Sequence, residues 1–307
     1  MEKPGKKLYG VIPPMITPFT SSGEVDGKGL RKLIDYLAPV VDGLFICGSY
    51  GSGPLMSVEE RKRVAEIVVE GVGGKIPVVV HTGTANTRDA VELSTHAVSV
   101  GATAVSAVAP FYYHHGTDGV VEFYRSILRA VPDGYPVYVY HNPRFSGYEI
   151  GIDALRILAK EGIRGIKDAT FDISKFSLYM RELGPKGPGD LEGLDIVLGT
   201  ESLWLPARSL GAEAYIPGLA NAFPELCVRL HREGMQGNLQ ACRETQFLVN
   251  RVRDVMYLAR STQLAVYAML EIRGILKTYP RSPFVPATPE EKGKIVSALR
   301  ALGVLEP

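Results

Sequence analysis

The sequence predicts a (β/α)8 barrel, a TIM barrel, with a C-terminal helical extension, and three observations carry that prediction. Short β-rich runs alternate with amphipathic helical patterns about eight times, an order that produces a parallel sheet with crossover helices. No dinucleotide-binding fingerprint opens the first unit, which favours a closed barrel over a doubly wound sheet. From about Phe223 to Leu305 the alternation stops and the pattern is helical only.

The strands read, in order, Val11 to Ile16, Gly43 to Cys47, Pro77 to His81, Ala104 to Val108, Pro136 to Tyr140, Ile163 to Lys167, Asp195 to Leu198 and Ala212 to Ile216. Between them lie helical patterns such as Ser57 to Val72, opened by Ser57 and Glu60 at the three-residue spacing of a capping box. Pro280 to Pro289 is a proline-rich connection before the last helix. The division is therefore residues 8–222 as the barrel, and residues 223–307 as its last helix and the extension. A barrel of this kind uses roughly 200–250 residues as one domain, so 307 residues accommodate one barrel and an appendage.

Charge is balanced, with 34 basic and 33 acidic residues, which leaves no electrostatic footprint for nucleic acid or an anionic membrane. The segment Met1 to Lys7 is basic but runs into no long apolar stretch, and no apolar run is long enough to span a bilayer. Cys47, Cys227 and Cys242 are odd in number and far apart, a pattern of neither a disulfide framework nor a zinc site. The expectation is a soluble cytoplasmic protein.

Lys167 ends the apolar run Ile163 to Ile166, at the rim of a buried sheet. Desolvation there disfavours an ammonium and yields a free amine near neutral pH, the species that attacks carbonyls to give Schiff bases. An ion pair with Asp168 is an equal alternative from this segment alone. In a barrel the strand C-termini share one rim. Gly48 to Gly53, Pro110 to Tyr113, Tyr140 to Pro143 and Lys167-Asp168 therefore become neighbours. That rim holds an amine, phenols that can shuttle protons, a hydroxyl, and a loop of backbone amides suited to a carboxylate.

From Gly10-Val11-Ile12-Pro13 through Pro280-Arg281-Ser282-Pro283 the chain resembles the dihydrodipicolinate synthase and N-acetylneuraminate lyase superfamily, barrel enzymes that bind a 2-oxo acid as a Schiff base. The matching motifs are Gly48 to Gly51, the tyrosines after Pro110, Tyr140-His141-Asn142-Pro143, and Gly165-Ile166-Lys167-Asp168. The resemblance implies Lys167 as Schiff-base former, Tyr140 as general acid/base, Ser49 as a proton relay, and Tyr112 reaching a neighbouring subunit's site. It also implies substrate binding by Ser49, Tyr50, Gly51, Gly199 and Ile216. Tyr50 stands where the family usually has a second threonine, so its phenol must fill part of the pocket or turn away.

Among the branches, the chain is most similar to the archaeal-type 2-keto-3-deoxygluconate aldolases, through Gly53-Pro54, Ala109 to Tyr113, and Tyr279-Pro280-Arg281 with Pro283. Phe145 occupies the position of the synthase branch's carboxylate-binding arginine, with Arg144 one residue too early. His115 occupies the position of a phosphate-contacting arginine, and Asn142 that of a second tyrosine. The implied activity is a class I aldolase that cleaves a 2-keto-3-deoxy sugar acid with an uncharged tail to pyruvate and an aldehyde. No cofactor or metal is implied, and a homodimer or homotetramer is. The alternatives are dihydrodipicolinate synthase and a 2-oxo-acid-binding barrel without turnover.

Other features read as ordinary. His114 and His115 lack the spacing of a third metal ligand, and strand alternation turns His141 away from Tyr140. The loop from Gly48 lacks the Lys-Ser/Thr ending of a phosphate-binding loop. Cys47 reads as a small buried apolar residue.

Overall fold

The computed structural model describes residues 7–186, 190 and 193–306. The expectation drawn from the basic N-terminal segment falls almost wholly on residues 1–6, outside the described residues. From the N-terminus the elements are β1 (Gly10–Val11), α1 (Gly27–Leu37), β2 (Leu44–Ile46), α2 (Val58–Val72), β3 (Val78–His81), α3 (Thr87–Ser99), β4 (Ala104–Val108) and α4 (Thr117–Ala130). There follow β5 (Val137–His141), the one-turn α5 (Pro143–Ser146), α6 (Ile152–Lys160), β6 (Gly165–Asp168), α7 (Ile173–Glu182), β7 (Asp195–Leu198), α8 (Trp204–Ser209) and β8 (Ala214–Tyr215). Four helices complete the chain: α9 (Pro224–Met235), α10 (Leu239–Val255), α11 (Thr262–Ile272) and α12 (Pro289–Ala301).

The strands are parallel and ordered β1-β8-β7-β6-β5-β4-β3-β2. Closure is made just beyond β1, where Met15 donates to the Phe45 carbonyl (2.9 Å) and Phe45 donates to the Pro13 carbonyl (3.0 Å). The barrel predicted from the alternation is therefore the observed fold. The first strand is shorter than its apolar run because Pro13 and Pro14 have no N–H for a ladder. Cys47, expected to end β2, instead turns the chain with φ +58°.

Strand residues are buried on both faces, as parallel sheets covered by helices require. Inward-facing Ile12, Phe45, Val79, Tyr138, Val197 and Ala214 belong to one apolar cluster that fills the barrel. Outward-facing residues such as Ile46, Val80, Val139, Ile166 and Ile196 join the larger cluster beneath the helices. The capping box of α2 forms as the spacing predicts, with the Ser57 side chain accepting from the Glu60 amide and the Glu60 side chain from the Ser57 amide. Helix α9 packs on β1 as the last barrel helix, and the larger cluster continues through α10, α11 and α12.

Candidate active site

Strands β5 and β6 pair with Tyr140 opposite Lys167, so both side chains project into the barrel at its C-terminal rim. Two residues earlier on the same inward face stands Gly165. A Cβ there would lie 2.7 Å from Tyr138 Cε1, so glycine is what lets the Tyr138 ring occupy the layer below the lysine. Asp168 follows on the outward face, where its Oδ1 accepts from the Thr170 amide (3.0 Å). Alternation thus removes the pairing of Lys167 with Asp168 that the sequence left open.

Lys167 is 4% exposed. Its Nζ lies 3.7 Å from the Phe45 ring centroid and 3.9 Å from that of Tyr140. Two aromatic faces favour a cation by roughly 0.5–2 kcal/mol each, whereas removing an ammonium from water costs several kcal/mol. Burial therefore wins and holds the lysine well below the ordinary ammonium range, which favours the free amine.

The Tyr140 hydroxyl sits 3.4 Å from Ser49 Oγ and accepts from Asn142 Nδ2 (3.0 Å). Burial pushes this phenol upward, opposed by those two hydrogen bonds and by the nearby Arg144 charge. It is consequently protonated near neutral pH and able to donate. Beside it, the amides of Ser49 and Tyr50 donate to no protein group among the described residues, and Gln263 at the start of α11 steadies their loop by donating to the Ser49 carbonyl (2.9 Å).

These groups open onto a cavity of about 390 Å³. Lys167, Tyr140, Ser49, Tyr50, Ile216 and Gly199 all line it. Tyr50 does not turn away: a Cβ on Gly218 would approach its Cε1 to 2.9 Å, so glycine makes room for the ring on the cavity wall. Gly51 is buried in the turn beside the cavity, where its carbonyl accepts from Thr17 Oγ1 (2.7 Å). Tyr112 is not brought to the cavity of its own chain. It is 84% exposed, with φ +84°, and meets exposed Tyr113 edge to face.

His141 faces away, as alternation predicts, with Nδ1 2.8 Å from the Tyr179 hydroxyl and Nε2 accepting from the Ile150 amide (3.2 Å). Burial lowers its pKa to about 4, so it is neutral. His114 and His115 pack against the Tyr148 ring. Cys47 is buried, and its thiol is pushed up to about 11, which keeps it an inert apolar group.

The cavity is also lined by groups outside the named site residues. Arg144 and Phe145 both line it from α5. Arg253, from the end of α10, pairs with buried Glu201 (3.2 Å), and Arg260 pairs with Glu291 (3.2 Å). The C-terminal extension is therefore part of the cavity wall rather than an appendage. No sequence signal marks Arg253 or Arg260, whose positions depend on how α10 and α11 dock. Arg281 is elsewhere, held by Glu60 and the Gly23 carbonyl.

The model of the dihydrodipicolinate synthetase family matches residues 7–302. An uncharacterized DapA-like lyase of Halobacterium salinarum is 34% identical over 97% of this chain and 95% of its own. A 4-hydroxy-tetrahydrodipicolinate synthase of Methanothermobacter thermautotrophicus is 31% identical over 90% of this chain and 98% of its own. Among solved structures, the dihydrodipicolinate synthase of Aquifex aeolicus superposes with a TM-score of 0.89 at 28% identity, covering 97% of this chain and 99% of its own. KD(P)GA from T. tenax superposes with a TM-score of 0.85 at 25% identity, covering 96% and 99%.

Proposed function

The chain belongs to the dihydrodipicolinate synthetase family and is a lyase of the pyruvate-dependent, Schiff-base class; from that premise we propose that it is an aldolase cleaving a 2-keto-3-deoxy sugar acid to pyruvate and an aldehyde. One observation carries the reading: a buried lysine with no carboxylate partner among the described residues, beside a protonated tyrosine, opening onto a cavity with room for a six-carbon acid.

Lys167 attacks C2 of the 2-oxo acid while the amides of Ser49 and Tyr50 hold its carboxylate. Tyr140 donates a proton as water leaves the carbinolamine, which gives the iminium. The resulting phenolate takes the proton of the C4 hydroxyl, the C3–C4 bond breaks, and its electron pair passes to the iminium. The aldehyde departs. Protonation of the enamine and hydrolysis release pyruvate and restore the amine. The iminium is the electron sink, so the reading requires no metal or cofactor. The 2-oxo acid and the aldehyde are its small-molecule partners.

Exposed Tyr112, held at positive φ against exposed Tyr113, supports a homodimer or homotetramer in which it completes the Ser49–Tyr140 relay of a neighbouring copy. Sedimentation velocity checks the assembly: a monomer at assay concentration removes that role.

The named relatives favour one competitor, condensation of pyruvate with aspartate semialdehyde. A panel of 2-keto-3-deoxy acids assayed for pyruvate release, set against pyruvate plus aspartate semialdehyde, decides between them. The aldolase reading requires higher kcat/KM for a sugar acid, and a tenfold advantage for aspartate semialdehyde replaces it with the synthase. Borohydride trapping of pyruvate without turnover of any panel member would make the barrel a 2-oxo-acid-binding protein.

A further inference from the structure

The Tyr50 side chain does not stay with its own loop. From the turn after β2 it reaches the loop after β8, two strands away around the barrel, where a Cβ on Gly218 would fall 2.4 Å from both the Cζ and the hydroxyl of the phenol. A side chain at position 218 would therefore have to drive the ring off its seat. The Gly218 backbone is fixed in turn: its amide donates to Glu201 Oε2 (3.1 Å), and buried Glu201 pairs with Arg253 (3.2 Å). The phenol hydrogen-bonds to the Thr262 side chain, and burial raises its pKa, so it stays a neutral hydroxyl.

A threonine, the residue usual at this place in the family, has neither the length nor the ring for that reach. A tyrosine side chain is large and stiff, with only two torsions to order, so once seated it acts as a fixed stretch of wall. Thr200, Glu201 and Thr262 line the cavity on the same side and offer hydroxyl and carboxylate groups that hydrogen-bond to a hydroxylated chain. Lys167 and the amides of Ser49 and Tyr50 fix the 2-oxo end of a bound acid, so carbons added at the other end have to find room against this wall.

We propose that the Tyr50 ring, seated on Gly218, sets the length of the substrate, so that the cavity takes sugar acids with a short aldehyde portion and excludes longer ones. This rests on the aldolase reading and names its substrate class. The two residues act as one device, because the phenol can occupy the wall only while position 218 carries no side chain.

The test uses 2-oxo acids that lack a C4 hydroxyl and so cannot be cleaved. Pyruvate, 2-oxobutanoate, 2-oxohexanoate and 2-oxooctanoate are trapped with borohydride on the wild type, Tyr50→Phe, Tyr50→Leu and Tyr50→Ser, and each rate is divided by that for pyruvate on the same protein. The division cancels any defect that slows Schiff-base formation for all acids alike. In Tyr50→Ser the ratio for the longest acid should rise about tenfold to a hundredfold over wild type, the discrimination a close-fitting pocket makes over a methylene or two. Tyr50→Leu should fall between, and Tyr50→Phe should keep the wild-type ratio, because the ring and not the hydroxyl excludes. Gly218→Ala, which pushes the ring into the cavity, should lower the ratio. Ratios unchanged in both Tyr50→Ser and Tyr50→Leu overturn the proposal, as does a rise in Tyr50→Phe equal to that in Tyr50→Ser.

Condensation of pyruvate with glyceraldehyde, erythrose and ribose by the same proteins reads the aldolase chemistry separately. Trapping whose length dependence follows Tyr50, with no aldehyde condensed, would sink the aldolase reading and keep the length limit. Condensation by the wild type, with trapping ratios indifferent to Tyr50, would do the reverse.

Discussion

Two layers of the barrel interior, two residues apart along the same strands, each set a tyrosine near a buried ionisable group and behave oppositely. In the lower layer the Tyr138 hydroxyl donates to Asp195 Oδ2 (2.9 Å), the Leu8 amide donates to the same oxygen (2.8 Å), and Gly165 leaves the space that the ring fills. In the upper layer, two residues further along each strand, Tyr140 faces Lys167, and the space beside them is an open cavity. Below, burial pushes the Asp195 carboxyl up to about 6 within a closed hydrogen-bonded set. Above, burial holds the lysine well below the ordinary ammonium range, and no carboxylate among the described residues pairs with it. Desolvation acts on both layers. What separates a plug from a reactive site is whether the perturbed group has a partner and whether a substrate can reach it.

The sharpest way to break the contrast is to remove the upper amine. Lys167→Arg should abolish pyruvate release, because a guanidinium stays protonated and cannot act as the nucleophile, while circular dichroism stays that of the wild type. Residual turnover within tenfold of wild type would move the chemistry to another group. Tyr140→Phe keeps the ring and deletes the hydroxyl, and turnover should fall by roughly 10²–10⁴-fold. A smaller loss would place the proton transfer elsewhere.

The lower layer makes its prediction through pH and stability. The folded pKa of Asp195 lies above its ordinary 3.8, so the fold favours the protonated carboxyl. Its stabilising contribution is complete below about pH 4 and is lost as pH rises through about 6. At 1.36 kcal/mol per unit, the loss is on the order of 3 kcal/mol. Asp195→Asn mimics the protonated form, so its stability relative to wild type should rise by about that much between pH 4 and pH 7 in urea titrations. A flat difference across that window would show that the carboxyl is not perturbed. Gly165→Ala should cost roughly 1–3 kcal/mol of stability through overpacking against Tyr138. An unchanged unfolding midpoint would deny the close approach that shapes the lower layer.

Much of this was legible in the sequence, and the reason is periodicity. Alternation along β5 and β6 is enough to put Tyr140 and Lys167 on one face and to turn His141 and Asp168 to the other. The glycine loop was likewise readable, because Ser49 and Tyr50 come within four residues of the end of a strand. Which members of that turn face the cavity was not readable, because backbone turns such as the one that buries Gly51 are set by contacts like that with Thr17. Arg144 was seen but not placed, since which way a one-turn helix directs its side chains depends on Pro143 and Gly147 together. Arg253 lies more than a hundred residues from Tyr140 in sequence. Its position on the wall depends on how α10 packs against the loop carrying Glu201, a tertiary fact that no local pattern encodes.

The most direct measurement is incubation of the wild-type protein with pyruvate and borohydride, followed by peptide mass spectrometry. The account predicts a reduced pyruvyl group on Lys167 and its absence from Lys167→Arg. An unmodified Lys167, or a label carried by a different lysine, would contradict it.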